Sequence, residues 1–307
     1  MADNLVCFFD DAFVPMSEAK VGVMTHAFNY GTGCFEGIRA YWTAESEQLY
    51  VFRLNDHLRR FEHSRQVLMI DLPYSIERLS EICIELLRRN QFKTDVYVRP
   101  LAYKSSELIG VRLHNLTDAF TMFSVPFGDY VETKGGLSVG VSSWRRIDDN
   151  AAPARAKLTG IYVNSALAKT EAALNGFDES IMLTDDGHVS EGSAENIFLV
   201  LGGRLVTPPP TDNILMGITR DTIITIAKTE LGIETVERSI DRSELYGADE
   251  IFVCGTGAQV LPVVKVDHRP IGSGEVGPTT QALVKSYMDI VHGNVDTYRS
   301  WLTPVYQ

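Results

Sequence analysis

The stretch Ala151-Ala-Pro-Ala-Arg-Ala-Lys157-Leu-Thr-Gly-Ile-Tyr162 sets one lysine at the end of a loop of small residues. A helix is predicted directly after it, over 163–175, and ends at Gly176. Most lysines are solvated surface charges. A lysine that lies in a dry pocket instead becomes a nucleophile for carbonyl groups. Lys157 is therefore the candidate nucleophile of this chain.

A carboxylate and two glycine-bearing turns come later in the sequence. Glu191 lies in Val189-Ser-Glu-Gly192, and the turns are Leu215-Met-Gly-Ile-Thr-Arg-Asp221 and Cys254-Gly-Thr-Gly-Ala258. An imine-forming lysine, a carboxylate that keeps a pyridine nitrogen protonated and turns that hold a phosphate are the groups that pyridoxal 5′-phosphate (PLP) chemistry needs. This combination predicts PLP as the cofactor.

Several residues could complete such a site. Gly217-Ile-Thr219 precedes a predicted helix over 219–231, so backbone N–H groups and the Thr219 hydroxyl could both meet a phosphate. Gly255-Thr-Gly257 could offer further amides, and Arg60 a full positive charge. Tyr162 could hydrogen-bond the phenolic oxygen of the ring. Each has an ordinary alternative: a capped helix, a simple turn, a solvated face or core packing.

Bulk properties limit the class of protein. The 307 residues suffice for two domains, and 45% hydrophobic with 22% charged residues is typical of a soluble globular chain. A net charge of −12 argues against nonspecific binding of nucleic acid or an anionic membrane. We see no signal peptide and no apolar run near the ~20 residues of a membrane span. Four scattered cysteines indicate free thiols, so a cytoplasmic protein without membrane or nucleic-acid partners is expected.

The turn composition of 128–136 predicts a linker between two domains. We expect a small N-terminal α+β domain over 1–127 and a large C-terminal PLP-binding domain over 137–307, with the active site in the interdomain cleft. Gly272-Ser-Gly-Glu-Val-Gly277 matches a dinucleotide motif, but too little chain follows it to build that fold, so a plain turn is predicted. No histidine cluster suggests a metal.

Taken together, these motifs resemble the fold-type IV (class IV) PLP-dependent aminotransferases, the D-amino acid aminotransferase-like fold, and most closely the branched-chain amino acid aminotransferases. The motifs that carry the resemblance are, in chain order, Phe35-Glu-Gly-Ile-Arg39, Tyr97-Val-Arg-Pro100, Lys157, Val189-Ser-Glu-Gly192, Glu195-Asn-Ile-Phe198, Gly217-Ile-Thr-Arg-Asp221 and Gly255-Thr256. The likeness runs nearly end to end. It implies a dimer or larger homo-oligomer in which a loop of one subunit closes the neighbour's site.

The resemblance also implies a role for each matching residue. Lys157 is then the Schiff-base lysine, Glu191 binds the ring nitrogen and Tyr162 the phenolic oxygen. The implied phosphate-binding turns and their charge partner comprise Arg60, Leu215, Gly217, Ile218, Thr219, Gly255 and Thr256. The implied substrate-binding residues are Tyr30, Phe35, Gly37, Arg39, Tyr97, Arg99, Phe127, Tyr130, Thr256 and Gly257. Among these, the Thr256–Gly257 amides would hold the α-carboxylate and Arg99 the distal carboxylate of glutamate.

The chain departs from the family pattern in places. Phe127 stands where many relatives carry tryptophan, Thr159-Gly-Ile161 replaces Gly-Gly-Asn, and Gln259 replaces a glutamate. Arg112-Leu-His114 offers an R-x-H pair, which D-amino acid aminotransferases of the same fold use as a carboxylate trap. This pair leaves D-amino acids or (R)-amines open as substrates.

The sequence thus predicts an aminotransferase that moves the amino group of leucine, isoleucine or valine to 2-oxoglutarate through a Lys157 Schiff base. Lys157 would carry the proton between Cα and C4′ as general base and then acid. The alternatives are a D-amino acid or (R)-amine aminotransferase, a PLP lyase of the aminodeoxychorismate lyase type that needs no oxo-acid acceptor, and an inactive binding protein.

Overall fold

The computed structural model describes residues 5–128 and 135–306. Its contacts divide the chain into two units. Unit 1 comprises Met1–Gly128, Ala156–Gly160 and Ile290–Gln307, and unit 2 comprises Asp129–Arg155 and Ile161–Asp289. The predicted linker 128–136 falls mainly on 129–134, outside the described residues. The lysine loop and the C-terminal segment, which the sequence placed in the second domain, instead group with unit 1.

The two helices predicted over 163–175 and 219–231 begin and end within one residue of those limits, whereas the short helix over 26–30 was not predicted. In the described residues the helices are α1 (His26–Tyr30), α2 (Leu54–Val67), α3 (Ile76–Asn90), α4 (Tyr162–Leu174), α5 (Ile218–Leu231) and α6 (Pro278–Val291). Local sequence signals set the ends of these helices, as α3 shows. Ser75 caps α3 by accepting from the Arg78 N–H at 3.2 Å, and Gln91 ends it in the left-handed region. Its apolar residues recur at helical spacing and are buried. None of the described helices combines the length and apolarity needed to cross a bilayer.

The strands form two separate sheets, one in each unit. In the described residues they are β1 (Val6–Phe9), β2 (Ala12–Pro15), β3 (Gly33–Phe35), β4 (Ile38–Thr43), β5 (Gln48–Phe52), β6 (Val96–Lys104), β7 (Asp118–Pro126), β8 (Leu137–Arg145), β9 (Glu179–Leu183), β10 (Val189–Gly192), β11 (Asn196–Leu201), β12 (Arg204–Thr207), β13 (Thr235–Glu237), β14 (Glu250–Gly255), β15 (Gln259–Val266), β16 (Arg269–Pro270) and β17 (Leu302–Pro304). The predicted α+β class is confirmed.

The sheet of unit 1 has the order β17-β5-β4-β6-β7-β1-β2, with β3 also paired to β6. Strand β17 explains why the C-terminus belongs to this unit, because Leu302 pairs with Phe52 across an antiparallel ladder. The lysine loop belongs here for a similar reason. The Thr159 hydroxyl donates to the carbonyl oxygens of Gly31 and Gly33 at 2.9 and 3.0 Å.

The sheet of unit 2 has the order β10-β9-β8-β15-β14-β11-β12-β13, with β16 on β15. Strand β8 runs parallel to both β9 and β15. Aliphatic side chains fill one core, which includes Val139, Ile181, Ile197, Leu199, Ile251 and Val253. The Gly272–Gly277 stretch is irregular, with positive φ at Gly272 and Gly274, so the plain-turn prediction is confirmed. All four cysteines are free and buried.

Candidate active site

Lys157 is fixed through its main chain in unit 1. Its N–H donates to the Ser64 hydroxyl at 3.0 Å, and its carbonyl oxygen accepts from the Phe35 N–H at 3.0 Å. The Lys157 Nζ atom lies 5.2 Å from the centroid of the Phe35 ring. The structure therefore brings the predicted nucleophile together with an aromatic residue of the predicted substrate pocket.

A buried carboxylate that the sequence did not single out lies beside this lysine loop. Glu36 is fully buried between β3 and β4, and it accepts from Arg60 Nε at 2.7 Å and Arg60 Nη2 at 2.8 Å. His57 Nδ1 lies 2.8 Å from the same carboxylate. Burial would raise the pKa of Glu36, but the Arg60 charge and the hydrogen bonds from Arg60 and His57 hold that pKa well below its usual range.

Because an ionised carboxylate only accepts hydrogen bonds, His57 donates from Nδ1. Burial lowers the pKa of His57, although the Glu36 carboxylate opposes this shift. The lowered pKa favours the neutral imidazole. The fork of Arg60 is thus held in one orientation by a fixed anion. The contact of Arg60 with a phosphate stays a prediction.

The predicted substrate-binding residues of unit 1 form an aromatic wall around one arginine. The rings of Tyr97 and Phe127 lie 5.3 Å apart, and Arg99 Nη2 donates to Tyr97 Oη at 2.7 Å. The Arg99 guanidinium also lies 4.6 Å from the Phe35 centroid. A Cβ on Gly37 would come within 2.3 Å of Tyr97 Oη, so a side chain there would push the Tyr97 ring aside. Within the described residues, Arg99 Nε is buried without a hydrogen-bond partner.

Arg39 lies in strand β4 and contacts the segment that follows β7. It is 2% exposed, donates to the carbonyl oxygens of Phe127 and Gly128 at 3.2 and 2.8 Å, and lies 3.7 Å from Asp95. Its guanidinium also packs on the rings of Tyr41 and Phe127. These contacts hold the end of β7, and the contact of Arg39 with a substrate stays a prediction.

The remaining predicted residues of this part of the chain lie on loops. Tyr30 Oη accepts from the Gly110 N–H at 3.1 Å, which ties α1 to the 105–115 loop. Arg112 and His114 lie on that loop and are exposed, and they make no ion pair among the described residues. Tyr130 lies outside the described residues.

Glu191 lies in unit 2 within strand β10, where the sequence suggested a junction of strand and turn. Its side chain is 7% exposed and pairs with Arg146, whose Nη2 is 2.8 Å from Oε1. Its Oε2 accepts from Asn196 Nδ2 at 3.1 Å and from the Leu215 N–H at 3.0 Å. A cation and two neutral donors all favour the ionised carboxylate.

The predicted phosphate turn begins α5. Gly217 is the N-cap of this helix and, as a glycine, it has no side chain of its own to cap it. Because the first N–H groups of a helix have no intrahelical acceptor, this end can hold an anion. A Cβ on Gly217 would lie 2.0 Å from Asn196 Oδ1. Thr219 is buried beside the cap, and Ile218 is half-buried. One asparagine therefore links the Glu191 carboxylate to the start of α5.

The second predicted turn joins β14 to β15. Gly255 pairs with Gln259, and Thr256, Gly257 and Ala258 form the loop between them. A Cβ on Gly255 would lie 3.3 Å from the Ala194 carbonyl oxygen, which packs this turn beside Glu195.

Glu195 and Tyr162 are two further residues of unit 2 in or near the predicted site. Burial, then the Glu179 charge, raises the pKa of Glu195 to about 8, and the Glu191 charge contributes in the same direction. Tyr162 is the first residue of α4 and is half-buried.

Sequence reasoning missed four residues: Glu36, His57, Arg146 and Asn196. Glu36 and Asn196 stand inside the motifs Phe35-Glu-Gly and Glu195-Asn-Ile-Phe198, so their position beside predicted site residues was a usable signal. His57 stands three residues before Arg60, a spacing that puts both on one face of a helix. Arg146 gave no local signal, because its partner Glu191 is distant in sequence.

Known protein families and solved structures were compared with this chain. The family model described as amino-transferase class IV matches residues 33–266, a span that contains both buried arginine–carboxylate pairs. The chain belongs to the class IV aminotransferases.

Several similar proteins of this family are named as branched-chain aminotransferases. A probable branched-chain-amino-acid aminotransferase of Aquifex aeolicus (strain VF5) is 49% identical, over 97% of this chain and 96% of the relative. The branched-chain aminotransferase of Thermoproteus uzoniensis, solved with norvaline, has a TM-score of 0.94 and 46% identity, covering 98% of this chain and 99% of that one. The branched-chain amino acid aminotransferase of T.th., complexed with N-(5′-phosphopyridoxyl)-L-glutamate, has a TM-score of 0.93 and 41% identity, covering 98% and 99%.

Proposed function

We propose that this protein is a PLP-dependent aminotransferase that transfers the amino group of leucine, isoleucine or valine to 2-oxoglutarate, with Lys157 as the reactive amine. Nearly full-length relatives with this activity in their names support the choice of substrates. A phosphopyridoxyl-glutamate bound to one of them supports both the cofactor and glutamate as the second partner. The observation that carries the proposal is the buried Glu191 carboxylate, which pairs with Arg146 and is joined through Asn196 to the glycine at the start of α5.

The residues of the chain fit PLP. An anionic phosphate suits the N-terminus of α5, where Gly217, Ile218 and Thr219 present backbone N–H groups and a hydroxyl. A protonated pyridine nitrogen suits Glu191, which can only accept a proton or hydrogen bond when ionised. When bound, PLP supplies the electron sink for a carbanion at the substrate Cα.

The protein contributes the proton transfers and the orientation. With PLP bound, Lys157 would take a proton from the substrate Cα as base and then return it as acid. The Thr256 and Gly257 amides are proposed to hold the α-carboxylate. Tyr162 would donate to the phenolic oxygen, and Arg60 would add charge opposite the phosphate.

One pocket must accept both an apolar side chain and the tail of glutamate. Phe35, Tyr97 and Phe127 offer aromatic surface for a branched aliphatic chain. Burying a carboxylate there without a partner would be prohibitive. Arg99 supplies that partner, since its planar fork can pair with a carboxylate and its Nε has no hydrogen-bond partner in the described chain.

A substrate panel tests this function. With L-leucine and 2-oxoglutarate, the purified protein should form glutamate and 4-methyl-2-oxopentanoate in equal amounts. D-Leucine and (R)-amines should give little glutamate. Turnover of an amino acid without an added oxo acid would establish a lyase, and a preference for the D-series would establish the D-amino acid reading of Arg112-Leu-His114.

We also propose a homodimer in the cytoplasm. The 21–30 segment, which includes α1, is joined to the 105–115 loop by the 2.7 Å contact of His26 Nε2 with the Gly110 carbonyl oxygen, and both expose large apolar residues. These residues are Val21, Val23, Met24, Phe28, Ile109 and Val111. Exposed apolar patches of this kind mark interfaces. Light scattering should give twice the chain mass for the wild type and a monomer for Phe28→Asp. Four free buried thiols are consistent with a reducing compartment.

A further inference from the structure

Arg146 pairs with Glu191, and no pattern in the sequence predicted this contact. Arg146 follows strand β8 directly, and its N–H donates to the Leu183 carbonyl oxygen at 2.8 Å. Its Nε donates to the Asn213 carbonyl oxygen at 3.3 Å, and its Nη2 lies 2.8 Å from Glu191 Oε1. The guanidinium is thus fixed both by main-chain oxygen and by the carboxylate.

Burial gives this pair its strength. The side chains of Arg146 and Glu191 are 6% and 7% exposed, so salt screens their interaction far less than it screens a surface pair. Two other groups that contact the Glu191 carboxylate, Asn196 and the Leu215 N–H, are neutral. Glu195 is a nearby acid whose pKa is raised by burial and by the charges of Glu179 and Glu191, so it supplies no positive charge to Glu191. Arg146 therefore supplies positive charge that compensates Glu191.

Removing that charge would change where one proton resides. A buried carboxylate without a cation favours its protonated form, because burial disfavours charge. A protonated Glu191 would no longer stabilise a proton on a pyridine nitrogen beside it. On the basis of the function proposed above, we propose that Arg146 is a positioning residue that acts through Glu191. It keeps this carboxylate ionised and oriented, and thereby keeps the cofactor's ring nitrogen protonated.

An analogue of the cofactor tests this without turnover. In 1-deazapyridoxal 5′-phosphate a carbon replaces the ring nitrogen, so Glu191 has no nitrogen to bind. The quantity to measure is the ratio of dissociation constants of this analogue and of PLP, obtained by titrating the apoprotein. The wild type should prefer PLP. Arg146→Met should reduce the preference about 10- to 100-fold, the range seen when a partner behind a metal ligand is removed.

Neighbouring and conservative variants supply the controls. Arg145→Met changes an exposed arginine at the end of the same strand and should leave the ratio unchanged. Arg146→Lys keeps the charge and should restore most of the preference. The proposal is overturned if Arg146→Met keeps the wild-type ratio, or if Arg145→Met lowers it equally.

A double variant keeps the test valid if Arg146→Met folds poorly. Arg146→Met with Glu191→Gln removes both buried charges, and its fold can be checked by circular dichroism. Its ratio should equal that of Glu191→Gln alone, because two residues that act through one contact are not additive. A further fall would show that Arg146 acts by another route. If the wild type fails to bind PLP, the proposed function itself is overturned. If the wild type binds PLP and transaminates but the variant ratios are not as expected, only the proposal for Arg146 is overturned.

Discussion

Two buried arginine–carboxylate pairs, one in each unit, use the same chemistry with exchanged roles. In the Glu36–Arg60 pair, the arginine is proposed to meet the cofactor's phosphate and the glutamate supports it. In the Glu191–Arg146 pair, the carboxylate is proposed to meet the ring nitrogen and the arginine supports it. Under this proposal, a different member of the ion pair meets the cofactor in each unit.

The two pairs also differ in how the carboxylate is held. Arg60 grips Glu36 with two nitrogens, and His57 adds a third contact, so that charge is fixed on an entirely buried group. Arg146 Nη2 lies 2.8 Å from Glu191 Oε1, and two neutral donors, Asn196 and the Leu215 N–H, contact Oε2. The contacts of Glu36 suit a carboxylate that holds Arg60 rigidly. The contacts of Glu191 suit a carboxylate that accepts a hydrogen bond from the cofactor's ring nitrogen.

The largest effect is expected at Lys157, which neither pair can replace. Lys157→Ala should abolish turnover, because it removes both the nucleophile and the proton carrier. Borohydride treatment followed by mass spectrometry should attach PLP to the wild type and not to this variant. Lys169→Ala changes a lysine of unit 2 and should retain the attachment. Attachment in Lys157→Ala would assign the amine to a different lysine.

The second-largest effect is expected on the free energy of unfolding when Glu36 is changed. Glu36→Gln leaves Arg60 buried without its anion, which costs about 3–5 kcal/mol in the free energy of unfolding. Glu62→Gln, which loses only a 3.9 Å contact with Arg65 from a half-exposed position, should cost about 0–1 kcal/mol. Urea denaturation of both variants measures the difference. Equal losses would contradict the rigid support assigned to Glu36.

The same pair has a pH signature. The folded pKa of Glu36 is held below its usual range, whereas an unfolded glutamate titrates near ~4.3. The stabilisation is therefore fully present above about pH 4.3 and is lost as the pH falls below it. Denaturation between about pH 6 and 3 should show this loss in the wild type and a flatter profile in Glu36→Gln.

The smallest expected effect falls on an arginine outside both pairs. Arg99→Ala should weaken 2-oxoglutarate and glutamate by about 1.5–3 kcal/mol, the scale of a hydrogen bond to a charged group, which is about 10- to 150-fold in kcat/KM. Leucine measured in its own half-reaction should change much less, because it has no distal charge. Arg112→Ala is the control and should leave both substrates unchanged. If Arg112→Ala instead abolishes all substrates, that residue holds the α-carboxylate.

The sequence singled out the member of each pair that is proposed to meet the cofactor, and it missed the member that supports it. Arg60 and Glu191 were found because charge opposite a phosphate and a carboxylate opposite a pyridine nitrogen are requirements of the cofactor. Arg146 was not found because its contact with Glu191 depends on how β8 and β10 lie in the sheet, and no local pattern encodes that. The limits of α4 and α5 were predicted to within one residue since caps and periodicity are local, whereas the five-residue α1 was missed. The three-residue strand β17 was missed because its pairing with β5 joins distant parts of the chain.

One side-by-side measurement tests the exchange of roles most directly: the PLP dissociation constant and the kcat at saturating PLP for Glu191→Gln and Glu36→Gln. Glu191→Gln should keep most of its PLP affinity and lose about 2–3 kcal/mol of transition-state stabilisation, roughly 30- to 150-fold in kcat. Glu36→Gln should bind PLP more weakly and, once saturated, turn over within several-fold of the wild type. Near-normal kcat in Glu191→Gln, with the larger loss of kcat in saturated Glu36→Gln, would show that the roles are not exchanged between the two pairs.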